Sequence, residues 1–363
     1  MLIRNAMLAA TLLAATPMLV SVAATPAMAF DGWHTETVTA IPSKTSGYDY
    51  ITYDSTNKHL FLGHRAEGLQ VFDPVAQKLV TTLPGTADHS ANGATIIAEM
   101  DLGVVNSEDG TATPFKLSTL AMGETVKLAP GIDTSHYDPA SKHLFFNTEP
   151  DKDNTPVLVV DPATMKVVAT IPVATKKAEG AAADGAGKLY LAGQTEGKIF
   201  VIDTKVNTVT ATWSSPACAK PTMIEVDASA KRLFVSCRAL GTVKAALVVL
   251  NTDTGATIWS AEIGDGSDGL AYDANTHRLF STNGVHANLT VAQMLSPDSF
   301  KILETLATYN NAKVIAMDHE NQKIYTMVAE GSANTEKKIN TATSPYSANT
   351  VFPNSFRVIT IAK

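Results

Sequence analysis

The feature that most limits what this chain can become is a repeat. One phrase recurs along it: an apolar run of strand length, a polar turn, and a second apolar run that opens, in most copies, on Leu and an aromatic residue. The phrase reads YITYDSTNKHLFLG at residues 50–63, HYDPASKHLFFN at 136–147 and GAAADGAGKLYLAG at 180–193. It returns as MIEVDASAKRLFVS at 223–236, GLAYDANTHRLFST at 269–282 and VIAMDHENQKIYTM at 314–327, with a degenerate copy, TIIAEMDLGVVN, at 95–106. The aligned positions Leu60, Val104, Leu144, Leu189, Leu233, Leu279 and Ile324 stand 44, 40, 45, 44, 46 and 45 residues apart. A unit of this size cannot bury its own apolar face, so copies must stack against one another.

Most copies are followed by a second hairpin, as in VFDPVAQKLVTTLP (71–84), VLVVDPATMKVVATIP (157–172) and IFVIDTKVNTVTATW (199–213). Enrichment in β-branched residues and frequent turn signals argue for an all-β chain. Two hairpins per repeat make a four-stranded sheet, and the repeat length is that of a propeller blade. The fold expected is a seven-bladed β-propeller of four-stranded antiparallel blades. Its last copy has a third strand at 356–361 and then ends, while the missing fourth strand is supplied by residues 36–42, ETVTAIP, which resemble KLVTTLP and KVVATIP. The N-terminal strand would close the last blade and leave no open sheet edge.

The first 29 residues read as an export signal: Arg4 is their only charge, an apolar stretch follows, and Ala27 and Ala29 suit a peptidase cleavage site. Residues 1–29 are expected to be removed, leaving 30–363 as a single propeller domain in the periplasm or outside the cell. No other stretch approaches the ~18 apolar residues of a membrane span, so no integral membrane segment is expected in the mature chain. The whole chain carries 28 basic against 35 acidic residues, a net charge of −7, which argues against a dedicated nucleic-acid binder.

With this pattern in hand, the chain resembles the YVTN-type, YncE-like family of seven-bladed propellers over residues 33–363. The eponymous tetrad falls on the second strand, here LFLGH, VVNS, LFFNT, LYLAG, LFVSC, LFSTN and IYTMV, with its terminal Asn kept as Asn106 and Asn147. The resemblance implies a periplasmic or surface propeller, commonly without assigned catalysis, and similar in architecture to lactonases and to the heavy chains of quinoprotein dehydrogenases.

In such blades the loop entering the innermost strand and the loop leaving the second strand share a rim, and loops on a rigid scaffold are the usual place for function. The first loops offer Asp49, His89, Asn92, Asp133, His136, Lys177, Glu179, Lys220, Asp268 and Lys313; the second offer His64 with Arg65, Glu108 with Asp109, and Arg238. Ten are singled out as candidate ligand-binding residues at the channel mouth: Asp49, His64, His89, Asn92, His136, Glu179, Lys220, Arg238, Asp268 and Lys313. The preferred reading is a binding or scaffold protein for a small molecule or a periplasmic protein, with no cofactor. One alternative is a lactonase-like hydrolase or a dehydrogenase-associated propeller, in which His136 and Glu179 would act as an acid/base pair. Another is metal handling by His64, His89 and His136. Against catalysis, the chain has no nucleophile elbow, Walker loop, dinucleotide fingerprint or haem-attachment motif.

Cys218 and Cys237, the only cysteines, flank the first hairpin of the fifth repeat, and antiparallel pairing brings these ends together. In an oxidising compartment they are expected to form a disulfide. His59, His143, His277 and His319 fall in turns on the opposite rim, and Trp33, Trp213 and Trp259 read as wedge fillers between blades. Residues 329–355 form a long polar insertion in the last repeat, either a lid or partner contact or a tolerated insertion.

Overall fold

Six of the seven repeats each fold into one antiparallel sheet of four strands in sequence order, and the seventh supplies three strands of a like sheet, as their alternation dictates. The computed structural model describes residues 32–44, 47–337 and 348–363; the expected export signal lies outside the described residues. Within the unit Trp33–Lys363 there are seven such sheets. The first, for example, runs Ile51–Asp54, His59–Gly63, Leu69–Asp73 and Lys78–Thr82 from the axis outwards. Innermost strands neighbour one another in cyclic order, the seventh returning to the first. The fold is a seven-bladed propeller.

Closure follows the expected route. His34–Ala40 is the outermost strand of the seventh blade, antiparallel to Arg357–Ala362 with Val38 opposite Ile359. The pairing continues through the Ile41 amide, which donates to the Phe356 carbonyl at 2.9 Å. The first and last strands of the propeller are thus neighbours in one sheet.

The core is divided among the wedges between blades. Seven apolar clusters fill them, each built from two adjacent blades. Second and third strands are apolar at successive positions because both of their faces are covered: Leu60, Phe61, Leu62, Val71 and Phe72 are fully buried. Outermost strands alternate, as in His34–Ala40 and Thr208–Trp213, because one face meets water. Trp33 is buried in the wedge between blades six and seven, its ring edge-on to Phe280 at 4.9 Å. Trp213 and Trp259 are half-buried in the neighbouring wedges, against Tyr190 and Phe300.

One rim is made of tight turns. There the Asp that ends an innermost strand turns its carboxylate onto the backbone: Asp54 accepts from the Thr56 amide at 2.9 Å, Asp138 from Ser141 at 3.0 Å and Asp227 from Ala230 at 2.8 Å. Asp318 accepts from Glu320 at 3.1 Å. Between some blades these carboxylates also hold a neighbour, Tyr53 donating to Asp318 at 3.0 Å and Tyr272 to Asp227 at 2.7 Å. His277 and His319 join the same network, beside Tyr272 and Asp273. On the opposite rim, Cys218 and Cys237 are joined in a disulfide, with Cα atoms 5.3 Å apart and both side chains buried.

Candidate functional site

The loop-rich rim positions its side chains through a repeated irregularity. In blades two to six the pairing of the innermost strand with the second shifts near its rim end, at 91/93, 132/134, 178/181, 221/223 and 267/269. The residues set out of register are Asn92, Asp133, Glu179 with Gly180, Thr222 and Asp268. A bulge leaves a residue unpaired and re-aims it away from the pleat. Asp133, Glu179 and Asp268 are thereby delivered to the wall of one cavity, about 390 Å³ in volume, at the mouth of the channel.

Blades one and seven reach the same wall by loop residues, Asp49 and Lys313, and the ends of second strands add Arg65 and Arg238. Close approach of the first two blades requires Gly63: a Cβ there would stand 1.8 Å from the Asn92 carbonyl oxygen. That contact lets the Asn92 carbonyl accept from the Tyr50 amide at 2.8 Å, setting the Tyr50 ring in the channel.

The charges form two linked groups. In one, Lys313 lies 2.7 Å from Asp268 and 3.4 Å from Asp49. Arg65 bonds Asp49 at 2.8 Å and reaches Glu108 outside the cavity, while Arg238 pairs with Asp268 and donates to the Ser267 carbonyl at 3.0 Å. In the other, Lys177 spans Glu179 at 3.2 Å and Asp133 at 3.4 Å, and Gln194 donates to Glu179 at 2.8 Å.

Burial sets the electrostatics. The Asp268 carboxyl, though desolvated, is held down at about 2 by Arg238 and Lys313. Desolvation pushes the Glu179 carboxyl up to about 7 against the pull of Lys177, and raises Asp133 as well. Lys177 is held above its ordinary range, chiefly by Glu179. Lys313 is raised too, because Asp268 and Asp49 outweigh its burial. Tyr50 stays protonated: burial, then the charges of Asp133, Asp49, Glu179 and Asp268, push its phenol well above the usual value.

Below Tyr50 and Asp268 lies a second chamber of about 510 Å³, lined by inner-strand residues including Thr52, Ser135, His136 and Met223. A third cavity, about 210 Å³, runs outward from the mouth past Asn92, Glu108 and Glu149.

Of the ten residues singled out in the sequence, Asp49, Glu179, Arg238, Asp268 and Lys313 therefore share the mouth. Asn92 lines the outer cavity and donates to the Ile132 carbonyl at 2.9 Å. Lys220 is buried beside the mouth, its ammonium pKa lowered by desolvation and then by Arg238. The three histidines are dispersed. His64 is fully buried, stacked on Phe356 at 3.9 Å and bonded to Gln70 at 3.0 Å. His89 pairs with Asp109 on the rim at 2.7 Å. His136 faces the lower chamber, where burial lowers its imidazole to about 4. It shares no cavity with Glu179. Among the described residues no group of three or more His, Cys, Asp or Glu side chains is placed to hold a metal ion.

The cavity also takes Arg65, Asp133 and Lys177, which the loop reading named without singling out, and Tyr50, which it missed. Part of the long insertion contributes as well. Gly331–Ser332 pairs with Thr350–Val351 in a short ribbon, and Ala348, Asn349 and Val351 line the mouth; residues 338–347 lie outside the described residues.

Comparison with known proteins agrees with the fold. A chain from the "Crystal Structure of Mitotic Checkpoint Complex" superposes with a TM-score of 0.68 at 10% identity, over 86% of this chain and 94% of that one. A chain of Kuenenia stuttgartiensis hydrazine synthase superposes with a TM-score of 0.65 at 13% identity, over 79% and 94%. No family model matches the sequence, and no curated protein matches it.

Proposed function

We propose that this protein is an exported binding propeller of the YVTN-type, YncE-like kind, which holds a ligand or a partner segment at its channel mouth. The observation that carries this reading is the mouth cavity itself: about 390 Å³, walled by eight Asp, Glu, Lys and Arg side chains brought from six of the seven blades. Charges so held by one another and by the backbone are in place before a ligand arrives, so little ordering cost remains. Hydrogen bonds to such partly desolvated charges are the stronger kind. Export would place the protein in the compartment where its disulfide persists. The periplasm is the location proposed, with residues 1–29 as the removed signal.

Native mass spectrometry of the protein released from the cell envelope tests the reading. The expected result is a bound small molecule or polypeptide on the wild type, lost when Glu179→Gln and Lys313→Gln are combined. An adduct retained by the folded double variant would refute a mouth site. Turnover of a lactone or alcohol panel that survives the same substitutions would place any activity elsewhere.

A further inference from the structure

The residues that line the mouth are neutral in sum and polarised across its width, with Lys220 buried beside them. The wall from blades five, six, seven and one carries Arg238, Lys313 and Arg65 against Asp268 and Asp49, three cations to two anions. The wall from blades three and four carries Lys177 against Asp133 and Glu179, one cation to two anions. The formal charges are therefore +1 and −1, counting every acid as ionised.

Unused acceptors and guanidinium donors divide in the same way, although Lys177, like Lys313, has three N–H donors and carboxylates at two. Lys313 has three N–H donors, with carboxylates at two. Arg238 has five, and its recorded bonds use Nε and one terminal nitrogen. Among the described residues, free donors therefore remain on the cationic wall. Opposite, the recorded bonds to Glu179 fall on Oε1 and the contact to Asp133 on Oδ2, leaving Oε2 and Oδ1 as acceptors without a partner among the described residues. Tyr50 stands between the walls with a protonated hydroxyl for which no protein partner is recorded among the described residues. A ligand with one charge would satisfy one wall and leave the other's capacity unmet; a ligand with both would meet the two together.

Resting on the mouth as the binding site, we infer that its ligand is amphoteric: a small molecule, or the end of a chain, that sets a carboxylate against Lys313 and Arg238 and an ammonium group against Glu179 and Asp133. Tyr50 donates to the same carboxylate or to a carbonyl between the two ends. Discrimination arises because either charge alone must displace water from a buried group of the opposite wall without replacing its hydrogen bonds.

Titration calorimetry with ω-amino acids of graded length (glycine, 4-aminobutyrate, 6-aminohexanoate) measures the span, with hexanoate and hexylamine as single-charge controls. One ω-amino acid is expected to bind at least about tenfold more tightly than either control, a difference near 1.4 kcal/mol. Glu179→Gln should reduce its affinity to that of hexanoate, and Lys313→Gln to that of hexylamine, with circular dichroism and thermal melts confirming that both variants fold. Tyr50→Phe, which keeps the ring, should weaken binding less than either. Equal affinity for hexanoate or hexylamine, or no heat from any of the amino acids, would overturn the amphoteric inference and leave the mouth itself to the envelope-adduct experiment. Binding of an ω-amino acid unchanged in both charge variants would overturn the two together.

Discussion

The two rims of the ring are built from the same repeat and use polar residues in opposite ways. On the turn rim an Asp recurs at the end of the innermost strand in blades one, three, five, six and seven, as Asp54, Asp138, Asp227, Asp273 and Asp318, and its carboxylate faces its own backbone. On the loop rim the corresponding strand ends carry Asp49, Asp133, Glu179, Asp268 and Lys313, which differ in sign and face one another across a cavity. The lesson is a division of labour. What recurs in five of the seven copies satisfies a need each of them has, the hydrogen bonds of a tight turn; what varies serves the ring only once, at its mouth.

The comparison can be broken by substitution. The largest stability loss belongs to the covalent clamp on the loop rim. Replacing Cys218 and Cys237 together by Ala releases a crosslink spanning 19 residues and should cost about 3 kcal/mol in denaturant unfolding. On the turn rim, Asp273→Ala deprives the Asn275 amide and the Gln322 side chain of an acceptor, at 3.2 and 2.8 Å. It should cost about 2 kcal/mol and leave affinity at the mouth unchanged. A parallel loss of affinity would show that the rims are not independent.

A smaller effect is carried by pH. Glu179, in contact with Lys177 and Gln194 and in the fields of Asp133, Asp268, Arg238 and Lys220, is pushed up to about 7 in the fold against its ordinary 4.5. Between those values the folded state binds more protons than the unfolded one, so this group's contribution is full below pH 4.5 and lost as pH rises through 7. Glu179→Gln should flatten that fall, as read from denaturant midpoints. Asp268 has the opposite sign: its carboxyl is lowered to about 2, so its contribution is lost only as pH falls from 3.8 through that value. The smallest expectation is for Lys58→Ala on the turn rim, whose ammonium pairs with an exposed Glu320 and should leave the melting midpoint where it is.

The ring was legible because its signal is redundant. Leu and an aromatic residue at a spacing near 45, with Asp in the turn, state the same blade several times, and the closing strand resembles the fourth strands it completes. The disulfide followed from hairpin geometry. The mouth was legible only as a set of loops. Strand alternation assigns faces by counting in twos, and the bulges that deliver Asp133, Glu179 and Asp268 interrupt the count.

His64 and Arg65 show the same limit. They are adjacent in sequence, yet the first is buried on Phe356 and the second, with φ at +43°, lines the mouth. A finer signal was present. Asp49, Asp133, Asp268 and Lys313 each lie eleven residues before their own aligned Leu or Ile, a register that marks the cavity wall more sharply than loop membership.

A crystallographic map of the protein taken directly from the cell envelope would test most directly that the unrepeated residues make the site. The account predicts density for a ligand or partner segment resting on Asp133, Glu179, Asp268 and Lys313, with the turn rim bare. Density seated on the turn rim, over a mouth holding only ordered water, would contradict it.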